Sequence, residues 1–232
     1  MTDAKRAAEL DIMDRGAVLH PNTPLSIHQQ QGGMVIEGGE GVTVRDMHGK
    51  TYLDAMAGLW CVNIGYGNAE LGQAASDEMA RLGFYHTFAG ASNPPQIELA
   101  DRLIRLLREE GGVTNASRVF FGLSGSDAND THIKLIRYYN NLRGRPEKKK
   151  IISRDLAYHG MTLGATSLTG IPVFHNAFDL PLDGFVFVST PHHYRCAKEG
   201  ESEEEFAQRL ADELEETIQR EGPDTVAAFI AE

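Results

Sequence analysis

The chain has 232 residues, 33 acidic against 22 basic, for a formal charge of −11; at roughly 150 residues per domain it holds one sizeable or two small domains. Apolar residues make up 41% and charged residues 24%, the balance of a globular chain rather than a disordered one. The acidic excess excludes a general nucleic-acid or anionic-membrane binder, which needs clustered Lys and Arg.

The stretch Met1 to Leu10 is charged and alanine-rich, without the apolar core of a signal peptide. No apolar run approaches the ~18 residues that span a bilayer. Two distant cysteines, Cys61 and Cys196, form no disulfide framework and suit a reducing compartment. A soluble, cytoplasmic protein is expected. Residues 1–30, broken by Pro21 and Pro24, read as a short helix followed by an irregular arm. From Gly33 to Leu59, three β-rich pieces predict a small antiparallel sheet: Met34-Val35-Ile36, Val42-Thr43-Val44 and Tyr52-Leu53. Gly38-Gly39 and Asp46-Met47-His48-Gly49 separate them, the second with glycine where a hairpin turn needs positive φ.

Four helices follow by their start and stop signals. Asn68 caps a helix with a Leu71, Ala74, Ala75, Met79, Leu82 stripe that Gly83 ends, and Asn93-Pro94-Pro95 opens another that runs through Ile97, Ala100, Ile104 and Leu107 to Gly111-Gly112. A third covers about Ser126 to Arg143, with Ala128, His132, Leu135, Tyr139 and Leu142 at helical spacing; His132 reads as a packed histidine. Ser202-Glu203-Glu204-Glu205 is a capping-box start for the fourth, which stops at Gly222-Pro223. Continuous apolar runs lie between and after the helices: Val119-Phe120-Phe121, Ile151-Ile152, Phe185 to Val188 and Val226 to Ile230. Strands buried on both faces and alternating with helices predict an α/β domain with a mainly parallel sheet.

The richest stretch is Val119 to Asn129, where a buried strand runs through Gly122-Leu123-Ser124-Gly125 into a helix. Free amides at a helix start carry the positive end of its dipole, and Gly125 admits close approach of a ligand; this describes a seat for an anion, most naturally a phosphate. A strand–turn–helix with serine caps and nothing bound fits these residues equally well. No Lys completes a Walker-type loop, and Gly122-Leu123-Ser124-Gly125-Ser126 misses a nucleophile elbow only in its last residue, which leaves a serine hydrolase as a distant alternative.

Tyr158-His159-Gly160 follows a buried strand, where open α/β sheets bind ligands and where an aromatic ring can stack on a planar group or simply pack. Trp60, the single tryptophan, and the Phe84 to Phe88 group either line a pocket or pack. His192, His193 and Cys196 do not make a convincing zinc set, since adjacent histidines do not converge on one ion and no fourth ligand is evident. No metal is expected.

These motifs join into one pattern. Gly41-Val42-x-Val44-x-Asp46-x-x-Gly49-Lys50-x-Tyr52-x-Asp54 leads to Gly58-Leu59-Trp60-Cys61-Val62-Asn63-Ile64-Gly65-Tyr66-Gly67. Ser124 to Asp130 with Ile133-Lys134-Leu135, then Tyr158-His159-Gly160 and the ending Ala227 to Glu232, follow in order. Together they resemble class III aminotransferases, and Leu59-Trp60-Cys61 is most similar to the ω-amino acid or amine:pyruvate branch. The resemblance implies an incomplete large domain of the fold type I, pyridoxal-phosphate-dependent architecture at 68–232, preceded by an arm and small-domain segment at 1–67. It implies pyridoxal 5′-phosphate held by Gly125 and Ser126, with Tyr158 on the ring, and His159 and Glu232 beside it. Leu59, Trp60 and Phe88 would line the substrate pocket. An amine or amino-acid donor, a keto acid such as pyruvate as acceptor, and a homodimer are implied as partners. Asp127 stands where the family usually has Glu, and His132 where a small residue or Gln is commoner.

The family's chemistry also needs a lysine that forms a Schiff base with the cofactor aldehyde. None of the chain's lysines sits in that motif, and Lys134 belongs to the cofactor-phosphate helix. No catalytic residue is therefore assigned. The chain is expected to be an N-terminal portion of such an enzyme, inactive alone; a non-catalytic, phosphate-binding fragment is the alternative. Its strand ending at Leu123 would lack sheet neighbours, which predicts marginal stability or poor solubility.

Overall fold

A computed structural model describes residues 3–232, in two compact units that divide between Ile97 and Glu98. The first unit opens with α1 (Asp3–Ala17) and α2 (Leu25–Gln31). The expected irregular arm thus contains a second helix. Pro24 caps it from extended backbone, and proline just before a helix costs no hydrogen bond that the helix uses. Strands β1 (Ile36–Glu40), β2 (Thr43–Asp46) and β3 (Thr51–Leu53) form the anticipated antiparallel sheet in that order. Gly38 and Gly39 lie inside β1 and pair with Arg45 and Val44, so they are ladder residues and not a separator; the register shift between Ile36 and Gly38 absorbs the irregularity. The β2–β3 turn is organised by Asp46, whose carboxylate accepts from the amides of His48 at 2.9 Å and Lys50 at 3.0 Å and from the Tyr52 hydroxyl at 2.7 Å.

A short segment, α3 (Ala57–Trp60), precedes α4 (Ala69–Leu82), which Asn68 caps by accepting from the Leu71 amide at 2.9 Å. A 3-10 turn at Phe88–Gly90 leads to α5 (Pro94–Glu109), with Asn93 accepting from the Gln96 amide. Neither α4 nor α5 buries a residue, and Leu71, Met79 and Ile97 of the predicted stripes are exposed.

The second unit holds α6 (Gly125–Leu142), β4 (Lys150–Arg154), α7 (Leu163–Leu168), β5 (Phe185–Val188), α8 (His193–Cys196), α9 (Glu203–Glu221) and β6 (Val226–Phe229). Its sheet runs β5-β4-β6, both pairings parallel, with Ile151 opposite Phe185 and Ala228. Ile152 is fully buried in the central strand, as a parallel strand covered on both faces requires. Ile133, Ile151 and Leu168 form the core, each contributing about 1.5–3 kcal/mol of burial free energy. Ser202 and Glu205 make the predicted capping box at the start of α9.

Two expectations fail here. Val119-Phe120-Phe121 is not a strand: among the described residues no strand pairs with it, and Phe120 is exposed. A strand needs partners for its amides and carbonyls, so an apolar run without a neighbour does not make one. The apolar stripe of α6 also points the wrong way. Leu135, Tyr139, Leu142 and His132 are exposed, while Thr131, Ile133 and Asn140 are buried. The helix has two faces with apolar character, and the β4 sheet takes only one.

Candidate functional site

Ligands in open α/β sheets bind beyond the carboxyl ends of the strands. At that end Arg154 closes β4, Tyr158-His159-Gly160 follow within a few residues, and Glu232 comes three residues after β6. Three hydrogen bonds bring the start of α6 to the same place. Ser126 Oγ accepts from the Met161 amide at 3.0 Å, Asn129 Nδ2 donates to the His159 carbonyl at 2.7 Å, and Asp130 Oδ1 accepts from the Ala165 amide at 2.9 Å. The last of these caps α7 from another helix, since its own N-cap, Thr162, makes no side-chain cap bond.

Gly160 is the pivot of this junction. It has φ +127°, and a Cβ there would lie 2.4 Å from Ser126 Oγ and 2.9 Å from Ala165 Cβ. Only glycine lets the loop and the helix tip meet so closely.

The helix tip itself is pre-organised. Ser124 Oγ accepts from the Asp127 amide at 3.2 Å, and Asp127 Oδ2 accepts from the Leu123 amide at 3.0 Å. The amides of Gly125 and Ser126 make no hydrogen bond among the described residues, and a Cβ on Gly125 would meet nothing within 4 Å. Ser126 Oγ accepts from Met161 and keeps its own proton to donate. Free amides, an available hydroxyl and open space at the positive end of an 18-residue helix are what a phosphate needs.

Behind the tip, the His159 amide donates to Thr169 Oγ1 at 2.9 Å. Its ring is buried, with Nε2 lacking any partner among the described residues. Burial pushes the His159 ring below its ordinary pKa; Glu232 opposes this and Arg154 reinforces it. Burial thus disfavours the imidazolium form. The Tyr158 ring is half-exposed and meets Phe174 edge-on at 6.2 Å between centroids. The Tyr158 amide donates to the Glu232 carboxylate, and Arg154 Nη2 donates to the Glu232 carbonyl. A cavity of about 550 Å³ opens beside Arg154, Ala157, Thr190, His192 and Glu232.

The structure therefore gathers Gly125, Ser126, Tyr158, His159 and Glu232. Sequence reasoning missed Asn129, Asp130, Arg154 and Thr169 as the residues that hold them. Arg154 stood at the carboxyl end of a buried strand and Asn129 and Asp130 inside the Ser124–Asp130 motif, which were usable signals; Thr169, just past α7, carries none.

Leu59, Trp60 and Phe88 belong to the first unit and are exposed. Leu59 and Trp60 sit on four successive left-handed residues, Ala57 to Trp60, with φ of +46°, +61°, +64° and +70°. Such backbone costs about 1–3 kcal/mol per non-glycine residue and persists only where its surroundings impose it. Asp54 does so: its Oδ2 accepts from the Gly58 amide and the Tyr66 hydroxyl, each at 2.7 Å. The Tyr66 hydrogen bond, more than the Gly58 amide, holds the Asp54 carboxyl below its usual range. A Cβ on Gly58 would fall 2.7 Å from Val62 Cγ2, so glycine is needed at that position too. Phe88 lies on the turn next to Ala89, also left-handed at φ +54°.

The chain from residue 26 to 232 matches the family model for class III aminotransferases. The chain belongs to that family. Family members depend on pyridoxal phosphate. The diaminobutyrate–2-oxoglutarate transaminase of Halomonas elongata is 45% identical over 94% of this chain and 46% of its own length. The mitochondrial gamma-aminobutyrate transaminase 1 of Oryza sativa subsp. indica is 48% identical over 86% of this chain and 38% of its own. A thermostable fourfold mutant of the ω-transaminase from Pseudomonas jessenii superposes with a TM-score of 0.92, at 50% identity, over 96% of this chain and 48% of that one. The PMP complex of the Pseudomonas jessenii ω-transaminase gives 0.90 at the same identity and coverage. The class III chain described here thus spans about half the length of the relatives it matches. Its parallel sheet with a separate antiparallel one is the fold type I arrangement those relatives share.

Other expectations find less support. Ser124 is engaged as a helix cap, and no histidine hydrogen-bonds to it among the described residues, which leaves a serine hydrolase without its base. His193 Nε2 lies 3.0 Å from the Glu201 carbonyl. No helix among the described residues is long and apolar enough to cross a membrane.

Proposed function

We propose that this chain forms the cofactor-phosphate side of a transaminase that moves the amino group of an ω-amino acid or amine to a keto acid, with pyruvate as acceptor. The observation that carries the reading is the tip of α6, its two free amides held against the Tyr158-His159-Gly160 loop. In it, Gly125, Ser126 and the Ser126 hydroxyl bind the phosphate of pyridoxal 5′-phosphate. Tyr158 covers the ring, His159 and the Glu232 carboxylate flank it, and the unpartnered His159 Nε2 supplies a polar contact on that side. The bound cofactor supplies an electron sink for the carbon that loses its proton. Leu59, Trp60 and Phe88 line the donor pocket, set by the left-handed turn that Asp54 maintains. A division into an arm and small-domain segment at 1–67 and a partial cofactor domain at 68–232, a cytoplasmic location and a homodimer belong to the same reading.

The proton-moving lysine is not among the residues assigned here. Lys150 Nζ is tied to Glu221 and Lys148 Nζ to Pro223, both at the amino end of β4, and Lys134 is exposed on α6. That favours a second reading, in which the chain by itself binds the cofactor phosphate without turnover.

Calorimetric titration with pyridoxal 5′-phosphate and with inorganic phosphate tests the seat. Both should bind, and Ser126→Ala should weaken both; equal binding by the variant would remove the assignment. An amine-donor assay on the 232-residue chain should show no transfer. In a longer chain carrying a family lysine, transfer to pyruvate is expected. Exclusive use of 2-oxoglutarate, the acceptor named for the Halomonas relative, would overturn the choice of acceptor.

A further inference from the structure

Far from the β4 sheet in sequence, α1 and α2 are joined through one carboxylate. His20 Nε2 lies 2.8 Å from Asp14 Oδ1, and His28 Nε2 lies 2.9 Å from Asp14 Oδ2. One ligand atom from each of the three residues lies within 4.8 Å of the others, and the two imidazole centroids are 4.4 Å apart. Asp14 and His28 are largely buried, with side-chain exposures of 17% and 4%, whereas His20 reaches the surface at 37%.

Two imidazoles and a carboxylate are ordinary ligands for zinc and its neighbours, and a poor set for magnesium or calcium, which prefer oxygen alone. A tetrahedral ion with bonds of 2.0–2.1 Å holds its ligand atoms about 3.3 Å apart. The histidines meet different oxygens of Asp14, and ligand atoms lying within 4.8 Å of one another reach that spacing by side-chain rotation. The approach is open. Position 33 is glycine, and a Cβ there would stand 3.5 Å from His28 Nε2 and 3.7 Å from Asp14 Oδ2, over the two donor atoms. A cavity of about 390 Å³ adjoins them, lined by Asp14, His20, Thr23, His28 and Gly33 among others.

We propose that Asp14, His20 and His28 bind one zinc-class divalent cation, with water from the cavity as the remaining ligand. The ion would staple the segment between α1 and α2. The proposal does not rest on the transaminase reading. Among the described residues, this is the one group of three such side chains whose ligand atoms converge; His192, His193 and Cys196 do not.

Equilibrium dialysis of the metal-free full chain against Zn²⁺, with Co²⁺ as a spectroscopic substitute, tests this. One ion per chain is expected, with tetrahedral-type Co²⁺ absorption. His20→Ala, at the least buried of the three positions, should weaken binding by about tenfold or more, and Asp14→Asn should do the same. Cys196→Ser and His193→Gln should change nothing. Absence of stoichiometric binding overturns the proposal. So does binding that survives His20→Ala with unchanged circular dichroism, or that is lost in the Cys196 or His193 variant.

Discussion

Gly160 and His159 show how much of the candidate site depends on single atoms. A methyl group on Gly160 would overlap Ser126 Oγ at a backbone angle side chains avoid, so Gly160→Ala should destabilise the chain by roughly 3 kcal/mol or more. Denaturant titration measures the loss, and the same variant should lose phosphate binding, because the α6 tip can no longer meet its loop. His159 makes a pH prediction with a definite sign. Its ring titrates below the ordinary 6.5 in the folded chain because burial disfavours the imidazolium. As pH falls below about 6.5 the unfolded chain takes up the proton first, so stability falls until the folded ring also titrates. Unfolding free energies measured between pH 8 and 5 should show that decline in the wild type, and a shallower one in His159→Gln.

Among the elements, helix starts were the most legible from sequence. Asn68, Asn93, Ser124 and Ser202 all cap as their residue types suggest, because an N-cap is a contact between residues three apart. The cap of α7 was not legible: Asp130 supplies it from 35 residues away. Asp130→Ala should therefore cost about 1 kcal/mol, the ordinary value of a lost cap. Thermal unfolding would register it, and a shift no larger than that of an exposed-site control would show that the Asp130 bond carries no stability. The same distinction explains α6. Its helical period was clear, but the period alone could not say whether Leu135 and Tyr139 or Ile133 and Asn140 would face the sheet.

At the scale of the molecule, the exposed apolar surface is the dominant fact. Phe84, Phe88 and Leu123 are each more than four-fifths exposed, and Trp60 more than three-quarters. Apolar surface of this kind in contiguous patches marks an interface or an aggregation hazard. The isolated chain should bind a hydrophobic dye strongly and sediment as polydisperse species. A monodisperse sample with one cooperative thermal transition would contradict this.

Local chemistry, written into the order of residues, determined the helix caps, the antiparallel Gly33–Leu59 segment, the strands at Ile151, Phe185 and Val226, of which the first is buried and the other two are mostly half-buried, and the small-residue turn at Ser124-Gly125-Ser126. Each depends on neighbours a few positions apart or on the burial preference of a short run. Tertiary structure alone decided that Val119-Phe120-Phe121 stays unpaired, that α6 turns its Ile133 face to the sheet, and that His159 sits buried with an unpartnered nitrogen. It also brought Asp14, His20 and His28 together across a helix, a loop and a second helix. Those outcomes depend on which distant segment is present to accept a hydrogen bond or exclude water, and no local pattern of residue types encodes that.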